Sequence, residues 1–547
     1  MKTLAQAYQE FDFDQVVAEQ LIGSVNHINA YVECCERYVG QQRTALIWQG
    51  KNAVSEQWTF EQLAQASGQM ANYLQHIGIQ AGDCIAGLLP RTPELLITIL
   101  ATWRIGAVYQ PLFTAFESKA IEHRIDSAQT KLIVTNQEQR SKLNGIKIPH
   151  ILTLHHPETP QQDPDFWTVL STQSTEFSPI ARSFDDYFLM MFTSGTTGLA
   201  KSVPVPLRAM LAFKGYMTHA VGLQADDSFW NLADPGWAYG LYYGITGPLS
   251  LGQSIIMDER PFSVDHAIEV IKKYKVTNLT GSPTAFRMFF GFKEKFDASI
   301  KTHLRVVSSA GEPLTPEVIH WFKQDFDVNI YDQYGQTELG MVIANHHGLD
   351  HHKKVGSAGY AIPGHRFAVL NKDHQEVEQG GIGILSIDCS QSPLFWFQGY
   401  AGHNRKSFVG HYYLTGDTVK LNELGGIDFI GRADDVITTS GYRVGPFDVE
   451  STLLECPEVL ESAVIGKPDP ERTEIVKAFV VLKPQYQASE QLMIQLQSYV
   501  RSRLSKHAYP KEIEFVVQLP KTSSGKIQRN LLKQQEIAKA QQIQEVS

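Results

Sequence analysis

Between residues 59 and 140 the chain alternates amphipathic helical stretches with short apolar runs, and this alternation restricts the possible folds more than any other feature. In "TFEQLAQASGQMANYLQHIGI", Leu63, Met70 and Leu74 share one face behind an opening Thr59, which predicts a helix with one buried side. "DCIAGLLP" then reads as a buried strand, "PELLITILATWRIG" as a helix and "KLIVTN" as another strand. Strands separated by helices predict a mostly parallel sheet covered on both sides, and the pattern returns at "SIIMDE", "VTNLTGSP" and "LRVVSSAG". The longest apolar run, Leu95 to Trp103, is bracketed by Glu94 and Arg104. It falls well short of the ~20 residues that cross a bilayer, so it reads as a buried helix. The start, "MKTLAQAYQEFDFDQ", has no apolar segment of signal-peptide length, and the protein is expected in the cytoplasm.

At 547 residues the chain exceeds what one core holds. The final hundred residues read as a separate small α+β unit. "DVESTLLEC" predicts a short helix, and "ESAVIGK" and "IVKAFVVLK" predict strands. Ser489 is placed to cap a helix carrying Leu492, Leu496, Val500 and Leu504 at four-residue spacing. "IEFVVQL" alternates Ile513, Phe515, Val517 and Leu519 on one face, as a half-buried strand does. The charged, glycine-flanked "GRADDV" sets the expected boundary, giving domains 1–432 and 433–547.

Net charge is −10, from 48 basic and 58 acidic side chains, with no dense basic block, which argues against nucleic-acid binding. Five cysteines, Cys34, Cys35, Cys84, Cys389 and Cys456, show no metal-ligand spacing and suit a reducing compartment.

One stretch resists a packing explanation. "MFTSGTTGLAKSVPVP" places threonines, a serine, glycines and Lys201 in a turn between two apolar runs. Backbone N–H groups of a glycine-rich turn can converge on an anion, hydroxyls add donors and the lysine adds charge. Taken alone it could equally be a solvated turn. It is not a P-loop, which needs glycine directly before the lysine, so a P-loop kinase is excluded.

As a ten-residue string, "FTSGTTGLAK" resembles the phosphate-binding signature of the adenylate-forming enzymes, the superfamily of acyl-CoA synthetases, peptide adenylation domains and luciferases. "SSAGEPL", "YDQYGQTELG", "YLTGDTVKL" with "GRADDVITTSGYRVGP", and "PKTSSGKIQR" follow in that family's order, and the resemblance spans roughly residues 30–535. It implies an α/β fold with a large N-terminal domain and a small mobile C-terminal domain. It also implies a two-step reaction: carboxylate and ATP give an acyl-adenylate and pyrophosphate, then a thiol such as coenzyme A expels AMP.

Residue by residue, the resemblance implies ATP contacts at Thr193, Ser194, Gly195, Thr196, Thr197, Gly198 and Lys201. Further ATP contacts are implied at Gly311, Glu312 and Pro313, and at Asp332, Gln333, Tyr334, Gly335 and Gln336, with Tyr334 offering a ring face to adenine. Thr337 matches an α-phosphate contact, and Glu338 the carboxylate that holds Mg2+. Asp417 and Arg432 match the ribose contacts. Lys526 matches the catalytic lysine of adenylate formation, Arg443 a phosphate or substrate contact, and Asp434 the hinge. Ser440, Gly441, Tyr442, Arg472 and Arg501 are expected at coenzyme A, although either arginine alone reads equally as a surface residue.

"FWNLADPGWAYGLYYGITGPLSLG" resembles acetyl-CoA and medium-chain acyl-CoA synthetases. It places Trp237, Ala238, Tyr239, Ala310 and Gly335 around the acyl group. Acetate-specific relatives carry a tryptophan before "QTE", where this chain has Gly335, so a larger pocket is expected. The implied substrate is a short-to-medium-chain or small aromatic acid, of the kind met in fatty acid metabolism. Tyr239 could still cap the pocket and keep propionate or butyrate open. Two alternatives remain: loading of an acyl group onto a separate carrier protein, and an acetate- or propionate-specific synthetase; Lys201, Glu338, Asp417, Arg432 and Lys526 together argue against a nucleotide-binding relative without catalysis.

Overall fold

The structure is a computed structural model. It describes residues 1–546 apart from 156–162, 194–199, 313, 403–404, 434, 440–441, 470–471, 505–506 and 523–525, and apart from the side chains of 53, 298, 301, 442, 443 and 540–546.

The first six-stranded sheet runs His150–Leu154, Leu132–Asn136, Cys84–Leu88, Val108–Pro111, Tyr187–Thr193, Lys201–Pro206. Every neighbouring pair is parallel except the last, whose short connection permits only a hairpin. Helix Pro93–Arg104 covers this sheet's core, and every residue from Leu95 to Trp103 is buried. Thr59 caps helix Phe60–His76, its side chain accepting from the Gln62 amide while the Gln62 side chain returns to Thr59.

The second six-stranded sheet carries four parallel strands, Phe229–Asn231, Asn278–Gly281, Val306–Ala310 and Ile330–Gln336. Antiparallel Gly340–Ala344 and Tyr360–Ala361 finish its edge. A five-stranded antiparallel sheet follows, in which Tyr412–Leu421 pairs with both Ile382–Asp388 and Ile427–Arg432. The helix–strand alternation thus predicts the parallel interiors, while the edges are antiparallel. Among the described residues, no helix is long and apolar enough to cross a membrane.

A buried ion cluster ties two N-terminal helices together. Glu33, with no exposed side-chain surface, accepts from Arg37 Nη1 at 2.8 Å and lies 3.6 Å from Lys214 Nζ. The amides of Ile22 and Gly23 donate to its other oxygen at 2.9 and 3.1 Å. Burial pulls the Lys214 ammonium down to about 8, with the Glu33 charge opposing.

The apolar clusters change membership between Ile427, which belongs to the large N-terminal core, and Ile437, which belongs to the small one. The small unit is a five-stranded sheet of Tyr442–Val444, Ile437–Thr439, Thr473–Leu482, Val459–Asp469 and Glu512–Phe515, flanked by helices Pro446–Leu454, Glu490–Arg503 and Arg529–Val546. Ser489 caps the second helix through the Leu492 amide.

Two expectations fail here. Leu504 leaves the helix with φ −102° and ψ −81° and is 39% exposed rather than continuing the apolar face. The last strand stops at Phe515 because its partner strand ends soon after, at Leu482. Val517 consequently stands 95% exposed, while Leu519 turns into a second cluster with Phe479 and Leu532.

Candidate active site

The hairpin of the first sheet brings Thr193 and Lys201 opposite each other as a paired position. Ser194, Gly195, Thr196, Thr197 and Gly198 lie outside the described residues. Lys201 Nζ sits 4.9 Å from the ring centroid of Tyr400. The Tyr400 hydroxyl in turn donates to Glu338 Oε1 at 2.5 Å. Glu338 follows strand Ile330–Gln336 and is only 8% exposed. Burial pushes its carboxyl up, against the Tyr400 hydrogen bond and the charges of Arg432 and Lys201. Thr337 is half-buried, and its carbonyl accepts from the Tyr242 hydroxyl at 3.1 Å.

Asp417 is the best-anchored carboxylate of the site. Strand pairing sets it directly opposite Arg432, whose Nη1 donates to Oδ1 at 3.2 Å. Oδ2 accepts from the Tyr334 hydroxyl at 2.5 Å and from Gln336 Nε2 at 2.9 Å. Gly416 has φ +75°, and a Cβ there would stand 3.3 Å from an Arg432 nitrogen, so glycine lets the guanidinium lie along the turn. Burial raises the Asp417 carboxyl, and Arg432 and the hydrogen bonds pull it back, as does the charge of Lys526. Tyr334 is therefore held by its hydroxyl, with its ring 6.5 Å from that of Phe429.

Strand alternation separates neighbours along Ile330–Gln336. Gln333, expected among the nucleotide contacts, turns its side chain instead into a tyrosine cluster, where its Oε1 accepts from the Tyr216 hydroxyl. Tyr216 and Tyr239 hydroxyls lie 2.9 Å apart, and the Tyr239 ring packs 5.6 Å from that of Tyr243. Ala238 and Tyr239 open a short helix, Ala238–Leu241, and both are half-buried. Trp237 precedes them and packs against Phe113 and Phe116 at 5.4 and 5.5 Å. Ala310 is buried in the same core as Tyr243.

At Gly335 the neighbouring strand leaves no space for a side chain. A Cβ at this position would stand 2.3 Å from the Gly340 carbonyl oxygen and 2.7 Å from both Cα and Sδ of Met341. The strand register shifts between Tyr334 and Gly335, which draws Met341 opposite the glycine. The direction an indole would take is filled by the neighbouring strand.

Gly311 has φ +103°, a conformation that favours glycine. Glu312 accepts from Arg287 Nη2 at 2.7 Å and from Thr284 Oγ1 at 3.1 Å, and Pro313 lies outside the described residues. Burial would raise the Glu312 carboxyl, but Arg287, Lys526 and Thr284 together hold it below its ordinary value. Asp332 accepts from the amides of Leu314 and Gln333 at 3.2 and 3.0 Å. Burial, with added repulsion from Glu312, pushes its carboxyl up to about 7. The charge of the exposed Lys526 contributes to holding down both the Glu312 and the Asp417 carboxyls. Its own amide donates to Thr522 Oγ1 at 3.1 Å.

Asp434, Ser440 and Gly441 lie outside the described residues, as do the side chains of Tyr442 and Arg443, whose backbones form strand Tyr442–Val444. Arg472 donates its amide to Asp469 at 2.9 Å. The Arg501 guanidinium lies 5.5 Å from the Tyr509 ring, and Lys511 Nζ lies 4.0 Å from it. The Tyr509 phenol is lowered, first by the Lys511 hydrogen bond and then by the charges of Lys511, Arg501 and Arg472. Both expected arginines thus join a cationic group around one tyrosine.

Tyr400, Arg287, Tyr216 and Met341 were not found from the sequence. Tyr400, Arg287 and Tyr216 act through partners distant in the chain, and Met341 meets Gly335 only through a shift in strand register.

A large mixed α/β unit followed by a small α+β unit that carries a lysine is the architecture of adenylate-forming ligases. The chain belongs to the AMP-binding enzyme family: the AMP-binding enzyme model matches residues 35–400 and the AMP-binding enzyme C-terminal domain model matches residues 448–526. Within that family it is similar to acyl-CoA synthetases. It is 34% identical over 549 residues to the acetyl-coenzyme A synthetase of Bacillus subtilis (strain 168), covering 98% of this chain and 96% of that protein. The crystal structure of Brucella canis acyl-CoA synthetase shares 52% identity at a TM-score of 0.80, covering 99% of this chain and 100% of that one. The anthranilate CoA ligase AuaEII, solved in complex with anthranoyl-AMP, shares 26% identity at a TM-score of 0.85, covering 94% and 98%.

Proposed function

We propose that this protein is an AMP-forming carboxylate–CoA ligase for a short aliphatic acid such as propionate or butyrate. The observation that carries the choice of acid is the filled space beside Gly335, where the Gly340 carbonyl and Met341 already stand. Tyr239, tied through Tyr216 to Gln333, supports the same reading by bounding the cleft with a fixed ring.

Residues 1–432 bind ATP and the acid in this reading, and residues 433–547 move. In the first step a carboxylate oxygen bonds to the α-phosphorus while the bond to pyrophosphate breaks. Two anions meet, so preset positive charge is the main requirement. Lys201 and Lys526 supply it, and Asp417 with Arg432 holds the ribose. In the second step the thiol sulfur bonds to the acyl carbon, the bond to AMP breaks and the thiol proton leaves to solvent. Arg472 and Arg501 hold the phosphates of coenzyme A.

Mg2+ fits the donor set. Glu338 is one buried carboxylate whose Oε1 is oriented by a phenol, and this ion commonly takes one or two protein carboxylates plus phosphate oxygens and waters. When bound it would offset phosphate charge. Five unpaired thiols support a reducing, cytoplasmic setting.

The test is a panel of straight-chain acids of two to twelve carbons plus benzoate, scored by AMP release with coenzyme A present. Highest kcat/KM is expected at three or four carbons. A preference for benzoate or for eight carbons and more would overturn the choice of acid.

A further inference from the structure

Tyr400 lies in "FQGYAGHN", outside the motifs read in the sequence, yet it contacts both charged groups proposed to face the phosphates. Its hydroxyl donates to Glu338 Oε1 at 2.5 Å, and its ring lies 4.9 Å from Lys201 Nζ. We propose that Tyr400 is a positioning residue for metal-bound ATP: its phenol fixes Glu338 and its ring fixes Lys201, so that carboxylate and ammonium are presented to the triphosphate as one preset unit. This rests on the proposed ligase reading.

Glu338 is a deeply buried carboxylate, and the Tyr400 hydroxyl gives its Oε1 a fixed donor. The donor also selects which oxygen it occupies, and so orients the other. Lys201 is exposed at the end of a hairpin, where a long side chain samples many rotamers. An aromatic face limits that freedom without neutralising the charge, which a carboxylate partner would do. The ring is itself braced, 5.2 Å from the Phe397 ring, and Phe397 is buried. Hydroxyl and ring therefore serve different partners, and the two contributions separate by substitution.

Tyr400→Phe keeps the ring and removes only the O–H; Tyr400→Leu removes both. Binding of ATP with magnesium, of ATP with EDTA, and of AMP is measured calorimetrically on the full-length protein, and unfolding midpoints are recorded. Losing a hydrogen bond to a charged group is expected to weaken magnesium–ATP binding about tenfold to a hundredfold in Tyr400→Phe. The magnesium half-saturation should rise in parallel, while AMP binding stays within about twofold and ATP binding in EDTA changes little. Tyr400→Leu should weaken ATP binding in EDTA as well, because Lys201 loses its ring. Unchanged magnesium–ATP binding in Tyr400→Phe would overturn the proposal. So would an equal loss for AMP, or a fallen unfolding midpoint that accounts for the loss, since both mark a structural role. If both variants bind nucleotide normally but no acid yields AMP, the ligase reading fails separately.

Discussion

Gly335→Ala adds one methyl group where the two strands meet most closely. The new Cβ would lie 2.3 Å from the Gly340 carbonyl oxygen and 2.7 Å from Met341 Cα. Non-bonded carbon atoms rest at ~3.5–4.0 Å, so the overlap is about 1 Å and two of the three obstructing atoms are backbone. A flexible side chain could step aside, but a strand inside a six-stranded sheet cannot do so cheaply. Overpacking typically costs ~1–3 kcal/mol, and the backbone contact argues for the upper end, about 3 kcal/mol. Urea unfolding followed by tryptophan fluorescence would read this as a lower midpoint at unchanged slope. The double variant Gly335→Ala/Met341→Ala separates the causes. If only the Met341 sulfur obstructs, removing it restores stability; if the backbone obstructs, the double variant is no better than the single. A loss below about 0.5 kcal/mol in the single variant, the range of an inconsequential surface change, would refute the close-contact reasoning.

Lys526→Ala is expected to abolish pyrophosphate release yet still convert supplied acyl-adenylate to thioester; equal loss of both half-reactions would contradict a role confined to the first. Glu33→Gln strands the buried Lys214 ammonium and should cost about 3–5 kcal/mol near neutral pH. The folded lysine titrates at about 8, below its ordinary 10.5, so its penalty is complete at lower pH and is relieved as pH rises from 8 towards 10.5. Without the Glu33 charge the lysine of the variant titrates lower still, so the Glu33→Gln defect should shrink as pH rises towards 8 and level off above it, and a constant defect below pH 8 in urea midpoints would be inconsistent with this. Asp332, raised to about 7 from 3.8, makes its carboxylate costly in the folded state, so stability is lost as pH climbs from about 4 through 7. Asp332→Asn should gain on the parent between pH 5 and 8, and parallel pH profiles would speak against it.

Periodicity exposes the helices and parallel strands because burial patterns are local. Leu63, Met70 and Leu74 sit on one buried face as the spacing requires. Leu504 and Val517 continue their patterns in sequence but not in space, because a helix end and a missing strand partner are set by tertiary context. The site shows the same division. Asp417 and Arg432 stand in motifs whose order is visible in the chain, and a strand pair aligns them. Gln333 and Gly335 stand in an equally visible motif, yet the tyrosine cluster that receives one side chain comes from distant segments, and the room beside the other depends on a bulge in an adjoining strand. Tyr400 depends on a contact across 62 positions, which no single stretch can reveal.

Arg432 closes the strand Ile427–Arg432 with its guanidinium on Asp417, while its carbonyl accepts the amides of Asp435 and Val436, each at 3.0 Å. One residue therefore holds Asp417, the proposed ribose contact, at one end and the root of the small unit at the other. If Asp417 holds the ribose as proposed, any swivel of that unit would pull on the same short lever that steadies the nucleoside. Loosening of the spent nucleotide and turning of the domain would then be a single mechanical event.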